Sequence, residues 1–309
     1  MNRYGSPRIN PVWPGLWYLA VLCLSSLSSA SAADKLQVYT VNYPLAYFAE
    51  RIGGAHVDVQ FPVPAESDPA FWMPDTATIA AYQQADLILL NGADYAKWVK
   101  KVSLPQRKLV NTSSPFRDDY IISREGMLHQ HGPGGEHSHA GTAFTTWLDF
   151  SQAARQAEQV ALAMKRLRPG QAEVFEENFQ RLQRDLLQLD ERLHEITASK
   201  PDLPLLASHP VYQYLARRYG LNLRAVMWEP DSYPNASSWQ AFKSLQALHP
   251  ASWMLWEDEP MDKTRERLMS SDVNIVVFKP CMNRPAQGDF LTVMEDNIRA
   301  LDEQFNVPY

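Results

Sequence analysis

Short apolar runs alternate with stretches of helical spacing along most of this chain, and that alternation restricts the fold more than any other feature. Residues 36–41 read as a strand, 43–52 as a helix stopped at Gly53-Gly54, and 57–63 as a second, alternating strand. A turn cluster at 64–69 is followed by a helix over 75–84 and an apolar strand over 85–90, closed by Asn91-Gly92. The alternation resumes near Leu203, with strands at 204–208, 221–226, 253–256 and 275–278. Helices fall between and after them at 211–219, 239–248, 263–269 and 289–301. Strands separated by helices of this size predict parallel sheets with helical faces, an α/β fold. Between the two halves, 151–167 has helical spacing and Arg168-Pro169-Gly170 breaks it. Residues 171–196 then run without interruption, with Phe175, Phe179, Leu182, Leu186, Leu189 and Leu193 on one stripe. A helix of that length spans about 39 Å, enough to bridge two lobes. The expected architecture is two Rossmann-like lobes with parallel sheets, 33–170 and 199–309, joined by one long backbone helix over 171–198. No internal repeat is visible in the residues.

The first 32 residues read as a cleavable signal peptide. Arg3 and Arg8 form the basic start, residues 16–27 are apolar apart from two serines, and Ala30-Ser31-Ala32 is a small-x-small cleavage site. The apolar run is shorter than the roughly 20 residues a membrane helix needs. Cys23 follows Leu22, which is too large for a lipoprotein cleavage box. A periplasmic protein is therefore expected. The chain has 29 Lys and Arg against 35 Asp and Glu, a net charge of −6, and the leader's charged residues, Arg3 and Arg8, are both basic. The acidic balance argues against nucleic acid and anionic membranes and suits a protein that attracts cations. Past the leader Cys281 is the one cysteine, so no intrachain disulfide forms.

Four of the eight histidines, His129, His131, His137 and His139, crowd into residues 129–139. Neutral imidazole is a common metal ligand, and a His-rich tract reads as metal binding. Its glycines and Pro133 predict a flexible loop without helix or strand. Such a loop catches Zn²⁺ or Cu²⁺ without imposing one geometry.

Several motifs stand in a particular order. Asp68-Pro69 is followed by Trp72 and Pro74, then by Ala85-Asp86-Leu87-Ile88 and Asn91-Gly92. In the second half, Ser208-His209-Pro210 leads into Tyr212 and the run Tyr214 to Leu221, with Glu229-Pro230 and Glu259-Pro260 beyond. Over residues 35–302 this order resembles the periplasmic metal-binding proteins of zinc and manganese ABC transporters. The resemblance implies an ion held between two lobes by three histidines and a carboxylate, and delivery to a membrane permease. It also implies a His-rich loop ahead of the second ligand, as in the zinc branch.

The chain departs from that pattern at three of the four ligand positions. Ala70, Thr145 and Lys279 stand where two histidines and the carboxylate are expected, and only His209 is kept. Three readings of the cleft follow. In one, His209 holds zinc with loop histidines and with Asp68, Glu66 or Glu229. In another, Cys281, Met282 and Met73 join His209 in a soft site suited to copper. In the third no ion binds; Lys279 pairs with Asp68 or Glu229, and Trp72, Trp228, Trp256 and Tyr212 wall a pocket for an organic solute or metal chelate. Residues 257–259 read as a solvated acidic strand end.

No nucleophile elbow, phosphate loop or His-Glu-x-x-His motif is present. The expectation is a monomeric, non-enzymatic solute-binding protein that takes Zn²⁺, with Mn²⁺ or copper as alternatives, and docks on an ABC permease.

Overall fold

The first strand, β1 (Leu36–Thr40), buries Leu36, Val38 and Thr40 and exposes the residues between them in part, the period of a pleated strand. In this computed structural model, which describes residues 1–5, 35–123, 128–130, 136–138 and 141–305, β1 lies inside a parallel sheet. Most of the expected signal peptide lies outside the described residues. Asn42 caps α1 (Tyr43–Gly53) by accepting from the Leu45 N–H. β2 (Val57–Gln60) pairs with β1 in parallel. Asp75 caps α2 (Thr76–Gln84) in the same way. The apolar β3 (Leu87–Leu90) then pairs with β1 on its other side. Beyond β3, β4 (Leu109–Asn111) completes the sheet, giving the order β2-β1-β3-β4. The connection from β3 to β4 uses two 3₁₀ segments, Lys97–Lys101 and Gln106–Lys108, instead of an α-helix.

The His-rich tract departs from expectation. β5 (Ile122–Ser123) pairs antiparallel with β8 (Gly141–Thr142), and between them β6 (Leu128–Gln130) pairs antiparallel with β7 (Glu136–Ser138). The backbones of His129 and His137 stand opposite each other in that ladder. The tract is thus partly strand, because its glycines and proline all fall at 132–135, between the paired segments. The side chains of His129 and His137, and all of His131 and His139, lie outside the described residues.

Asp149 caps α3 (Phe150–Leu167), and a 3₁₀ turn at Pro169–Gln171 separates it from α4 (Ala172–Ala198). The apolar stripe of α4 is buried from Phe175 to Ile196. A second all-parallel sheet follows, built from β9 (Pro204–Ala207), β10 (Asn222–Ala225), β11 (Trp253–Trp256) and β12 (Asn274–Val277). Its order, β10-β9-β11-β12, repeats that of the first sheet. The helices of this half are α5 (Gln213–Tyr219), α6 (Ala236–Leu248), α7 (Asp262–Met269) and α8 (Phe290–Phe305). Gly220 ends α5 in the left-handed region, φ 65°, where a side chain would be strained.

The larger core joins both sheets with α1, α3, α4 and α8. Phe290 of α8 packs its ring 5.7 Å from Tyr47 and 5.5 Å from Phe48 on α1, so the last helix returns to the first. A smaller core beneath α6 and α7 contains Trp228, Trp239, Phe242 and Trp256. The Trp228 ring packs tilted against Trp239 at 4.6 Å and Phe242 at 5.0 Å. Both Trp228 and Trp256 are therefore packing residues rather than cleft walls. Where α4 meets α5, Arg218 binds both oxygens of Asp190 at 3.0 and 2.6 Å, and the Tyr219 hydroxyl donates to the same carboxylate. Among the described residues no helix is long and apolar enough to cross a membrane.

Candidate metal centre

Three adjacent strands of the second sheet deliver the site. Ser208 and His209 follow the end of β9, Glu257 follows the end of β11, and Glu229 lies four residues past β10. Parallel strands bring their carboxyl ends to one edge, where the loops beyond them form a crevice. Backbone bonds hold these loops in register. The Ser208 N–H donates to Leu255 O at 2.8 Å, and the Trp228 N–H donates to Ser208 O at 2.7 Å.

His209 is 1% exposed, and its Nδ1 lies 3.2 Å from Glu229 Oε1 and 3.7 Å from Glu257 Oε1. One ligand atom from each of the three residues fits within a mutual 4.8 Å, the spacing a single divalent ion spans. Asp68 and Phe144 come from the first half of the chain, and with Val211, Pro230 and Met282 they complete a cavity of about 170 Å³. The Ala70 N–H donates to Asp68 Oδ1 at 2.8 Å and orients that carboxylate.

Burial works against a charged His209, but the carboxylates of Glu257, Glu229 and Asp68 outweigh it and raise its pKa above the usual value. The cavity thus concentrates negative charge around one buried imidazole, which favours a cation. Imidazole nitrogen with carboxylate oxygen is a donor set for zinc and for harder divalent ions. A drug-sized organic solute needs about 300 Å³ or more, so the cavity suits an ion.

Of the residues singled out in the sequence, His209, Glu229, Asp68 and Met282 meet here; the side chains of the four loop histidines lie outside the described residues, and the remaining candidates stand elsewhere. Thr145 is buried and donates its hydroxyl to Val211 O at 2.5 Å. Lys279 pairs with Asp258 at 2.9 Å, on a half-exposed surface, rather than with Asp68 or Glu229. Cys281 is buried outside the cavity lining, and burial pushes its thiol up to about 12, so it offers no thiolate. Met73 and Glu66 are exposed, and Trp72 is half-buried outside the lining. Tyr212 is buried and donates to Phe278 O at 2.7 Å. Neither the soft site nor the aromatic pocket is therefore assembled by the described residues. Glu257, which the sequence shows only as part of an acidic strand end with Asp258 and Glu259, lines the cavity, while its two neighbours are exposed. Its signal was its place directly after the apolar strand Trp253–Trp256.

Known proteins share the sequence pattern and the fold. The chain is 28% identical over 320 residues to the high-affinity zinc uptake system protein ZnuA of Bacillus subtilis, covering 96% of this chain and 98% of that protein. It is 24% identical to the zinc-binding lipoprotein AdcA of Streptococcus pneumoniae, over 92% of this chain, but spans only 59% of AdcA's length. The crystal structure of the Zn(II)-bound ZnuA-like domain of that AdcA superposes with a TM-score of 0.74 at 21% identity, covering 89% of this chain and all of that one. The family model for ZnuA, the periplasmic component A of the zinc-uptake complex, matches residues 38–304, and the chain belongs to that family.

Proposed function

We propose that this protein is exported to the periplasm, takes one zinc ion into the cavity and presents it to the membrane permease of an ABC transporter. The observation that carries this reading is the convergence of His209, Glu229 and Glu257 within ligand distance of one another, with Asp68 facing them. The ligands differ in origin from the set that the resemblance implies. Carboxylates from the second sheet stand in for the side chains lost at Ala70, Thr145 and Lys279. The histidines of 129–139 act ahead of this site as a weak first catch, and their loss slows capture without removing the cavity.

The oxygen-rich donor set favours a second reading, in which Mn²⁺ also binds. Zinc still outcompetes manganese at equal concentration, as divalent ions generally rank on N/O ligands. Calorimetric titration of the chelator-stripped mature chain tests both readings. The expected result is one tight zinc site that survives deletion of 129–139 and weakens at least about 100-fold in His209→Ala, with manganese displaced by zinc. Zinc binding that disappears with the loop and is unchanged in His209→Ala would overturn the cavity assignment.

A further inference from the structure

Residues 278–284, between β12 and α8, reach the cavity through Met282 and are tied to both halves of the chain. Trp147 donates from Nε1 to Pro280 O at 2.8 Å, and the Tyr43 N–H donates to Met282 O at 3.0 Å. Cys281 sits at φ 58°, a sharp turn for a non-glycine residue. Just beyond it Met282 lines the cavity, and Asn283 reaches the loop at 64–67. Asn283 Nδ2 lies 2.8 Å from Pro64 O, 3.1 Å from Ala65 O and 2.9 Å from Ser67 O. Its Oδ1 accepts the Arg284 N–H at 2.7 Å, which fixes the amide with its NH₂ toward the loop. Two amide hydrogens serve three carbonyls, so one hydrogen is shared. Arg284 anchors the same segment by pairing with Glu50 on α1 at 3.1 Å.

The loop so held is the one that carries Asp68. Residues 61–75, all described, contain neither strand nor α-helix. Downstream of Asp68 the loop is tied to its own half by the Lys97 N–H donating to Ala70 O at 3.2 Å. Upstream, Asn283 takes the carbonyls of 64, 65 and 67, the last of which belongs to the peptide bond leading into Asp68. Asp68 therefore stands between two anchors, and the upstream one comes from the other half of the chain.

We propose that Asn283 is a positioning residue for the metal cavity, fixing the loop so that the Asp68 carboxylate faces His209, Glu229 and Glu257. The inference rests on Asp68 acting in the cavity, as argued above. Asn283→Asp keeps the size of the side chain but turns an oxygen toward three carbonyls. Asn283→Ala removes the tether, and Asn283→Gln keeps the NH₂. Zinc affinity and the visible spectrum of the Co²⁺-loaded protein are measured for each, alone and with Asp68→Asn. Asp68→Asn and Asn283→Asp are each expected to weaken zinc binding about 10-fold or more and to shift the cobalt bands alike. The double variant should bind little worse than either single one, because both act on one interaction. Asn283→Gln should fall closer to the parent than Asn283→Ala, a comparison that also stands if the Asp variant fails to fold. An unchanged affinity and spectrum in Asp68→Asn would remove Asp68 from the cavity reading itself. A loss in Asp68→Asn with no loss at Asn283, with fully additive losses, or with Ala matching Gln would overturn the positioning role alone.

Discussion

His209 sits where water barely reaches, beside carboxylates that hold its pKa above the ordinary value. Without metal it therefore carries a proton at mildly acidic pH, and a zinc ion must expel that proton to bind. Zinc affinity is expected to fall about tenfold per pH unit once pH drops below this raised pKa. Titrations at pH 5.5 and 7.5 in buffers of different ionisation heat check both the trend and the released proton. Lys279 gives the opposite expectation. Its pair with Asp258 is half-exposed on both sides, so Lys279→Ala should cost less than about 1 kcal/mol of stability. It should also leave zinc binding within a few-fold of the parent; a large loss would show that the ammonium shapes the cavity. At this scale the sequence was only partly legible. His209, Asp68 and Glu229 were readable because they lie in recognisable motifs. Glu257 was not, because its neighbours Asp258 and Glu259 are exposed and the adjacency of β9 and β11 is a fact of sheet order.

Among the elements, α4 was the most legible, because its stripe repeats at helical spacing through most of its 27 residues. Leu186 lies on that stripe and is fully buried. Leu186→Ala should cost about 3 kcal/mol, read as a lowered urea midpoint. β4 and the β6–β7 ladder went unseen, since strands of three residues carry too few positions to show a period. The junction of α4 with α5 depends on charge. Burial works against an ionised Asp190, but Arg218 and the Tyr219 hydroxyl outweigh it and hold its pKa below the usual carboxylate value. That pair thus contributes stability at neutral pH and loses it as pH falls through the lowered pKa. Arg218 is about a third exposed, so Arg218→Ala should cost about 2 kcal/mol at pH 7, between the surface and buried limits. The gap between parent and variant should narrow by pH 3; a constant gap would assign the loss to packing.

At the scale of the whole molecule, two sheets of identical strand order arise from halves with no visible sequence repeat. The order follows from parallel strands and their crossovers, which many apolar sequences satisfy. The two halves are also stapled together by the 278–284 segment and by the core that α8 and α4 share with both sheets. Zinc binding should therefore change the radius of gyration of the mature chain, about 19 Å for a compact body of this size, by less than about 1 Å in solution scattering. A larger contraction would reveal an open state that the staples do not forbid. The return of α8 to α1 also bears on the order in which the chain can mature. A chain released from its N-terminus leaves the face of α1 that receives Phe290 bare until the final helix arrives. An early helix thus waits on a much later one, and Phe290 acts as the keystone of a core begun at α1.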